Sequence, residues 1–65
     1  MVLNINGKSA VRIKGKFMGK SGTGLAMLVD CDGELHWFPI QCVRDDGNDE
    51  VSIQEWIYKQ KFPKG

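Results

Sequence analysis

Cys31, His36 and Cys42 combine nucleophilic and metal-ligating character within twelve residues of chain. A structural zinc site takes four such ligands, commonly with a C-x2-C pair, and this spacing offers no such pair and no fourth Cys or His. A Cys/His pair could support nucleophilic catalysis if a third group oriented the base. A chain of 65 residues has little wall with which to exclude water, so a catalytic pocket of ordinary size does not fit. His36 reads as a core residue and the cysteines as small buried hydrophobes. No catalytic residue, metal or cofactor is expected.

Gly15-Lys16-Phe17-Met18-Gly19-Lys20-Ser21 ends like a phosphate-cradling loop. Three residues separate its glycines where the motif has four, and no helix former follows Ser21 to aim amides at a phosphate. Nucleotide hydrolysis is therefore rejected.

Charge carries more. Residues 1–30 hold Lys8, Arg12, Lys14, Lys16 and Lys20 against Asp30, a balance of +4. Residues 31–65 hold four cations against seven acids, a balance of −3, so the formal net charge of +1 conceals a polar molecule. Alternation puts Arg12, Lys14 and Lys16 on one face of one strand, with Lys8 and Lys20 near its ends. Basic strands beside aromatics resemble single-strand grooves, where phosphates are neutralised and bases stack, and Trp37 and Tyr58 are candidate stacking partners. The total charge is low for a dedicated nucleic-acid binder. The same chain also suits a protein partner. Leu28 and Trp37 form a candidate apolar hot spot, and Asp45, Asp46, Asp49 and Glu50 could meet a basic partner or mimic nucleic-acid charge against a host nuclease.

The elements that position these residues are short. Eight glycines and two prolines make a turn-dense chain that favours strands. Val2 to Ile5 is β-prone, and Asn6-Gly7 after it is a two-residue hairpin signal. Ser9 to Met18 alternates, with Val11, Ile13 and Phe17 opposite the cations and Gly15 marking a bend or a close backbone approach. Leu25 to Cys31 is an apolar strand, Asp32-Gly33 a second tight turn, and Glu34 to Phe38 the return. A tight turn sets Cys31 opposite Glu34, Val29 opposite His36 and Met27 opposite Phe38, with Asp30 opposite Leu35 and Leu28 opposite Trp37. Burying Asp30 would be costly, so Met27, Val29, Cys31, His36 and Phe38 are read as the interior. Trp37 and Leu28 then stand outside, exposed or covered by the helix.

Pro39 ends that strand. Arg44 to Glu50 reads as an acidic loop. Ser52 with Glu55 forms a capping box, with Val51 and Trp56 at the staple positions, which predicts a helix from about Ile53 to Gln60 or Lys61, closed by Phe62-Pro63. Ile53, Trp56, Ile57 and Gln60 mark its apolar face, with Trp56 as the main anchor. The order of four or five strands and one helix predicts a single mainly β (α+β) domain over 1–65. Its expected form is an antiparallel SH3-like or OB-like half-barrel closed by the C-terminal helix. No run approaches a membrane span, and the first seven residues lack the features of a signal peptide. A cytoplasmic protein with reduced thiols is expected.

At Asp32-Gly33-Glu34-Leu35-His36-Trp37-Phe38-Pro39 the sequence resembles a small domain of bacteriophage proteins. In that family an apolar strand leads through an Asp-Gly hairpin to a Trp-apolar-Pro segment, and a short acidic stretch leads to a terminal helix opening with a Glu-Trp pair. Here the pair is Glu55-Trp56, and the likeness spans residues 9–61. The family often has a Lys-Ser pair after the proline, where this chain has Ile40-Gln41. Such domains stand alone or are appended to phage recombination and replication proteins, including helicases and single-strand-binding factors. The resemblance implies a non-catalytic phage-type accessory module in DNA metabolism, acting in the host cytoplasm. The expected contact is single-stranded nucleic acid at Arg12, Lys14, Lys16, Lys20 and Trp37. The alternative is a protein-binding module that inhibits or recruits a host protein, such as an anti-defence factor, through Leu28, Trp37, Asp45, Asp46, Asp49 and Glu50.

Overall fold

A computed structural model describes residues 3–63. Seven strands and one helix follow one another: β1 (Asn4–Ile5), β2 (Lys8–Lys14), β3 (Lys16–Lys20), β4 (Ala26–Cys31), β5 (Glu34–Pro39), β6 (Val43–Gly47), β7 (Glu50–Gln54) and α1 (Glu55–Lys61), with a 3-10 turn at Ile40–Cys42. They form a four-stranded antiparallel sheet, β1-β2-β7-β6, and a three-stranded antiparallel sheet, β3-β4-β5. The mainly β class and the C-terminal helix agree with the sequence reading, and the strand count exceeds it. Val2, read as the start of the first strand, lies outside the described residues.

Three turns create most of the pairing. Asn6 and Gly7 sit at φ 52 and 78°, and Asp32 and Gly33 at 54 and 98°, the left-handed pair that a tight hairpin with native twist requires. The β4–β5 register is the one expected, from Cys31 opposite Glu34 to Met27 opposite Phe38. The third turn, Asn48-Asp49 at φ 53 and 59°, joins β6 to β7. The segment read as an acidic loop is therefore a hairpin.

Gly15 is the corner of the molecule. The run read as one strand from Ser9 to Met18 divides there, β2 belonging to one sheet and β3 to the other. The Gly15 N–H donates to the Asp49 carbonyl at 2.8 Å, and a Cβ on Gly15 would lie 2.3 Å from the Asp30 carbonyl oxygen. Only a residue without a side chain allows that approach.

The two sheets share one core of Met27, Val29, Cys31, Phe38, Cys42, Val43, Val51 and Ile53, with Ile57 from α1. His36, read as interior, is half-buried, its ring edge-on to Phe62 at 4.7 Å. The capping box does not form. Ser52 lies inside β7, paired with Arg12 on one side and Arg44 on the other, and α1 begins at Glu55 after Gln54. Burial between two strands outweighs a local cap worth about 1 kcal/mol. Of the expected apolar face of the helix, Ile57 enters the core as read, whereas Trp56, expected to be the anchor, stays 46% exposed. The helix ends at Lys61, as expected.

Candidate binding surfaces

Strand β7 is central and buried on both faces. Val51 and Ile53 point into the core, while Ser52 and Gln54 point outward yet are also buried. Their polar partners come from β1, β6 and α1. Gln54 donates to the Ile5 carbonyl at 2.7 Å and accepts from the Trp56 indole N–H at 2.5 Å. Ser52 donates its hydroxyl proton to Asp46.

Asp46 reaches Ser52 through a bulge. Asp45 pairs with Val51 and Gly47 with Glu50, so Asp46 is the extra residue. Its carboxylate accepts from Arg12 Nε at 3.1 Å and from Arg44 Nε at 2.9 Å. The Ser52 hydrogen bond, followed by the two arginines, holds the Asp46 carboxyl below its ordinary range and overcomes the opposing effect of burial. Asp45 caps the same bulge, its carboxylate accepting from the Gly47 N–H at 2.9 Å.

The basic strand is therefore interleaved with acid. Arg12 is paired with Asp46, Lys14 stands opposite Glu50 across β2–β7, and Lys16 stands opposite Asp30 across β3–β4. Lys14 and Lys16 also border a shallow cleft shared with Asp30, Asp32 and Asp49. Opposed unlike charges attract across strands and reduce the field left for a polyanion. Lys20 stands exposed at the end of β3, opposite Met27. The acidic candidates are similarly divided. Asp46 is engaged by the arginines, Asp45 by the bulge, and Asp49 and Glu50 border the hairpin.

Trp37 lies on the other sheet. It stands 47% exposed on the outer face of β5, opposite the half-buried Leu28, and Leu35 beside it is 57% exposed. Met18, the bulged residue of β3, adds a third exposed apolar side chain at 52%. The helix does not cover Trp37. The aromatic that shares a side of the molecule with the β2 cations is Trp56, which lines a surface cleft with Lys8, Ser9 and Glu55. Tyr58, the other candidate stacker, packs against the core and against Phe62 at 5.0 Å. Sequence reasoning missed both the Arg12–Asp46–Arg44–Ser52 cluster and the outward position of Trp56. The Val51-Ser52-Ile53-Gln54 alternation was the available signal for both.

Cys31 and Cys42 are buried, free thiols. Desolvation, with help from Asp30 and Glu34, pushes the Cys31 thiol up to about 11. Burial likewise raises Cys42 against a smaller lowering effect of Lys8. Both are protonated at neutral pH and weakly nucleophilic. His36 Nε2 is buried without a hydrogen-bond partner, the Glu34 carboxylate at 3.8 Å being too distant for one. Among the described residues no cluster of three or more His, Cys, Asp or Glu could hold a metal ion, and no helix is long and apolar enough to cross a membrane.

Comparison with protein-family models, with curated proteins and with solved structures gives no significant match.

Proposed function

We propose that this chain is a non-catalytic protein-binding module whose contact surface is the outer face of the β3-β4-β5 sheet. One observation carries the reading: Met18, Leu35 and Trp37, each about half exposed, gather with Leu28 on that face. Exposed apolar clusters centred on a tryptophan are the usual anchors of protein interfaces. The partner chemistry that fits is an apolar protein surface, because the face's one cross-strand charge pair, Lys16 and Asp30, is balanced. The two sheets, joined at Gly15, support treating the scaffold as a small SH3-like or OB-like half-barrel. In the phage-type setting that the sequence resembles, the partner is a host or phage protein in the host cytoplasm.

The test uses the immobilised chain in nuclease-treated bacterial lysate. Wild type should retain a protein that Trp37→Lys does not. Retention that survives Trp37→Lys removes this surface from consideration.

Trp56 beside Lys8 favours a second reading, weak binding of single-stranded nucleic acid on the β2 side. Its β2 residues would be Lys8, Arg12 and Lys14, with Lys16 and Lys20 reaching in from β3 of the other sheet and Trp56 stacking in place of Trp37. Three to five phosphate contacts imply a slope of log affinity against log salt of about −2 to −4 on single strands. A titration with short single-stranded DNA at low salt tests it. Binding unchanged by the Arg12/Lys14/Lys16 triple alanine variant, or absent altogether, ends it.

A further inference from the structure

We infer that two copies of this chain pair reversibly through the free edge of β5, Leu35 and Trp37 of each copy meeting across a two-fold axis. The inference rests on the protein-binding reading of the same face and names a second copy as a partner.

Edge strands expose unpaired backbone groups, and proteins blunt them with shortness, charge, bulges or proline. The other edges here are blunted. β1 has two residues. β3 has lysines at both ends and a bulge at Met18. β6 carries Arg44 and Asp45 and is bulged at Asp46. β5 differs from all three. Its six residues pair one-to-one with β4 without a bulge, and two of its exposed side chains are Leu35 and Trp37. Glu34 is its one fully charged residue, at the end beside the turn.

The hydrogen-bond phase shows what that edge offers. Ile40 N–H donates to the Leu25 carbonyl at 3.0 Å, just beyond the Ala26–Pro39 pair. Antiparallel ladders alternate, so the even-numbered residues of β5 address β4 and the odd-numbered ones address the free edge. The N–H and C=O groups of Leu35 and Trp37 therefore point outward. The amide that Pro39 lacks would also have pointed outward, where its loss leaves the β4 ladder intact.

A second copy satisfies this edge. Directly opposed residues of an antiparallel pair point to the same face, so outer residues must oppose outer residues. With His36 on the two-fold axis, Leu35 opposes Trp37 of the other copy twice over. Four backbone hydrogen bonds form, and the four apolar side chains make one cluster on the outer face. Glu34 then opposes Phe38, and the two Glu34 residues lie four positions, about 13 Å, apart along the ladder. That exceeds the screening length of about 8 Å at physiological salt, so no like charges are set against each other. A shared edge of five residues, 34–38, about 17 Å long, buries less than the roughly 1,200–2,000 Å² of a stable interface. The dimer is accordingly weak and concentration-dependent.

Sedimentation equilibrium of the full chain, from micromolar to millimolar loading, tests the pairing. The weight-average mass of wild type should rise from 7.3 kDa towards twice that value. Leu35→Lys and Trp37→Lys should stay at the monomer mass with wild-type circular dichroism, and Arg12→Ala should associate like wild type. Leu35→Lys alters a side chain that is already exposed, so it keeps the test decisive if Trp37→Lys folds poorly. A wild type that remains at monomer mass throughout, or association unchanged in both lysine variants, overturns the pairing. In that event, lysate capture that still depends on Trp37 leaves the protein-binding reading standing, and capture indifferent to Trp37 removes both.

Discussion

Replacing Asp46 by alanine should destabilise the fold more than any other exposed-loop or hairpin substitution in the chain. The Ser52 hydroxyl is fully buried and donates to the Asp46 carboxylate. Without that acceptor it becomes a buried unsatisfied group, at about 1–3 kcal/mol. Arg12 and Arg44 also lose their shared counter-ion, and because both are about half exposed each pair contributes no more than about 1 kcal/mol. The expected total is about 1–5 kcal/mol. A chain of this length has only about 3–10 kcal/mol of stability in all. At about 4–8 °C per kcal/mol, the melting temperature should fall by at least about 4 °C. Thermal and urea unfolding followed by circular dichroism measure both quantities. Because Ser52 and Asp46 act as a unit, Asp46→Ala and Ser52→Ala should be non-additive, with a coupling of about 1–2 kcal/mol in a double-mutant cycle. Asp46→Ala within about 0.5 kcal/mol of wild type, or strict additivity with Ser52→Ala, would refute the reasoning.

Acid should act on the same carboxylate. Its folded pKa is depressed, so its stabilisation is present above the unfolded carboxylate value of about 3.9 and is lost as pH falls through the lower folded value. Urea midpoints between pH 5 and pH 2 should show that loss in wild type and less of it in Asp46→Asn. Ile57→Ala should cost about 2–5 kcal/mol, as for a buried isoleucine, and Trp56→Ala clearly less, because its ring stands half exposed; equal melting temperatures for the two variants would contradict the helix orientation. Gly15→Ala must displace the Asp30 backbone and should cost at least about 1–3 kcal/mol, whereas Gly22→Ala meets no atom within 4 Å and should unfold with wild type.

Local signals in the sequence revealed the parts of the fold that depend on local chemistry. Asn6-Gly7 and Asp32-Gly33 demand left-handed backbone, and from the second turn every β4–β5 partner follows by counting. The outward position of Trp37 follows from the same count together with the cost of burying Asp30. Asn48-Asp49 makes the same turn without a glycine at its second position, so the weaker signal reads as a loop. The capping box at Ser52 misleads because its pattern is local and its competitor is not. Arg12 and Arg44, each on a neighbouring strand, flank Ser52 and give β7 two ladders that no window around Ser52 contains. The Arg12–Asp46 pair spans 34 residues and depends on a bulge, which is why Arg12 looks free in the sequence and is paired in the fold.

The most direct test of the central claim is amide hydrogen exchange on the chain, free and with its lysate-captured protein bound. Protection should rise in 26–31 and 34–39, the strands beneath Leu28, Leu35 and Trp37, while 8–14 exchanges as in the free chain. Added protection confined to 8–14, the strand carrying Arg12 and Lys14, would contradict the account.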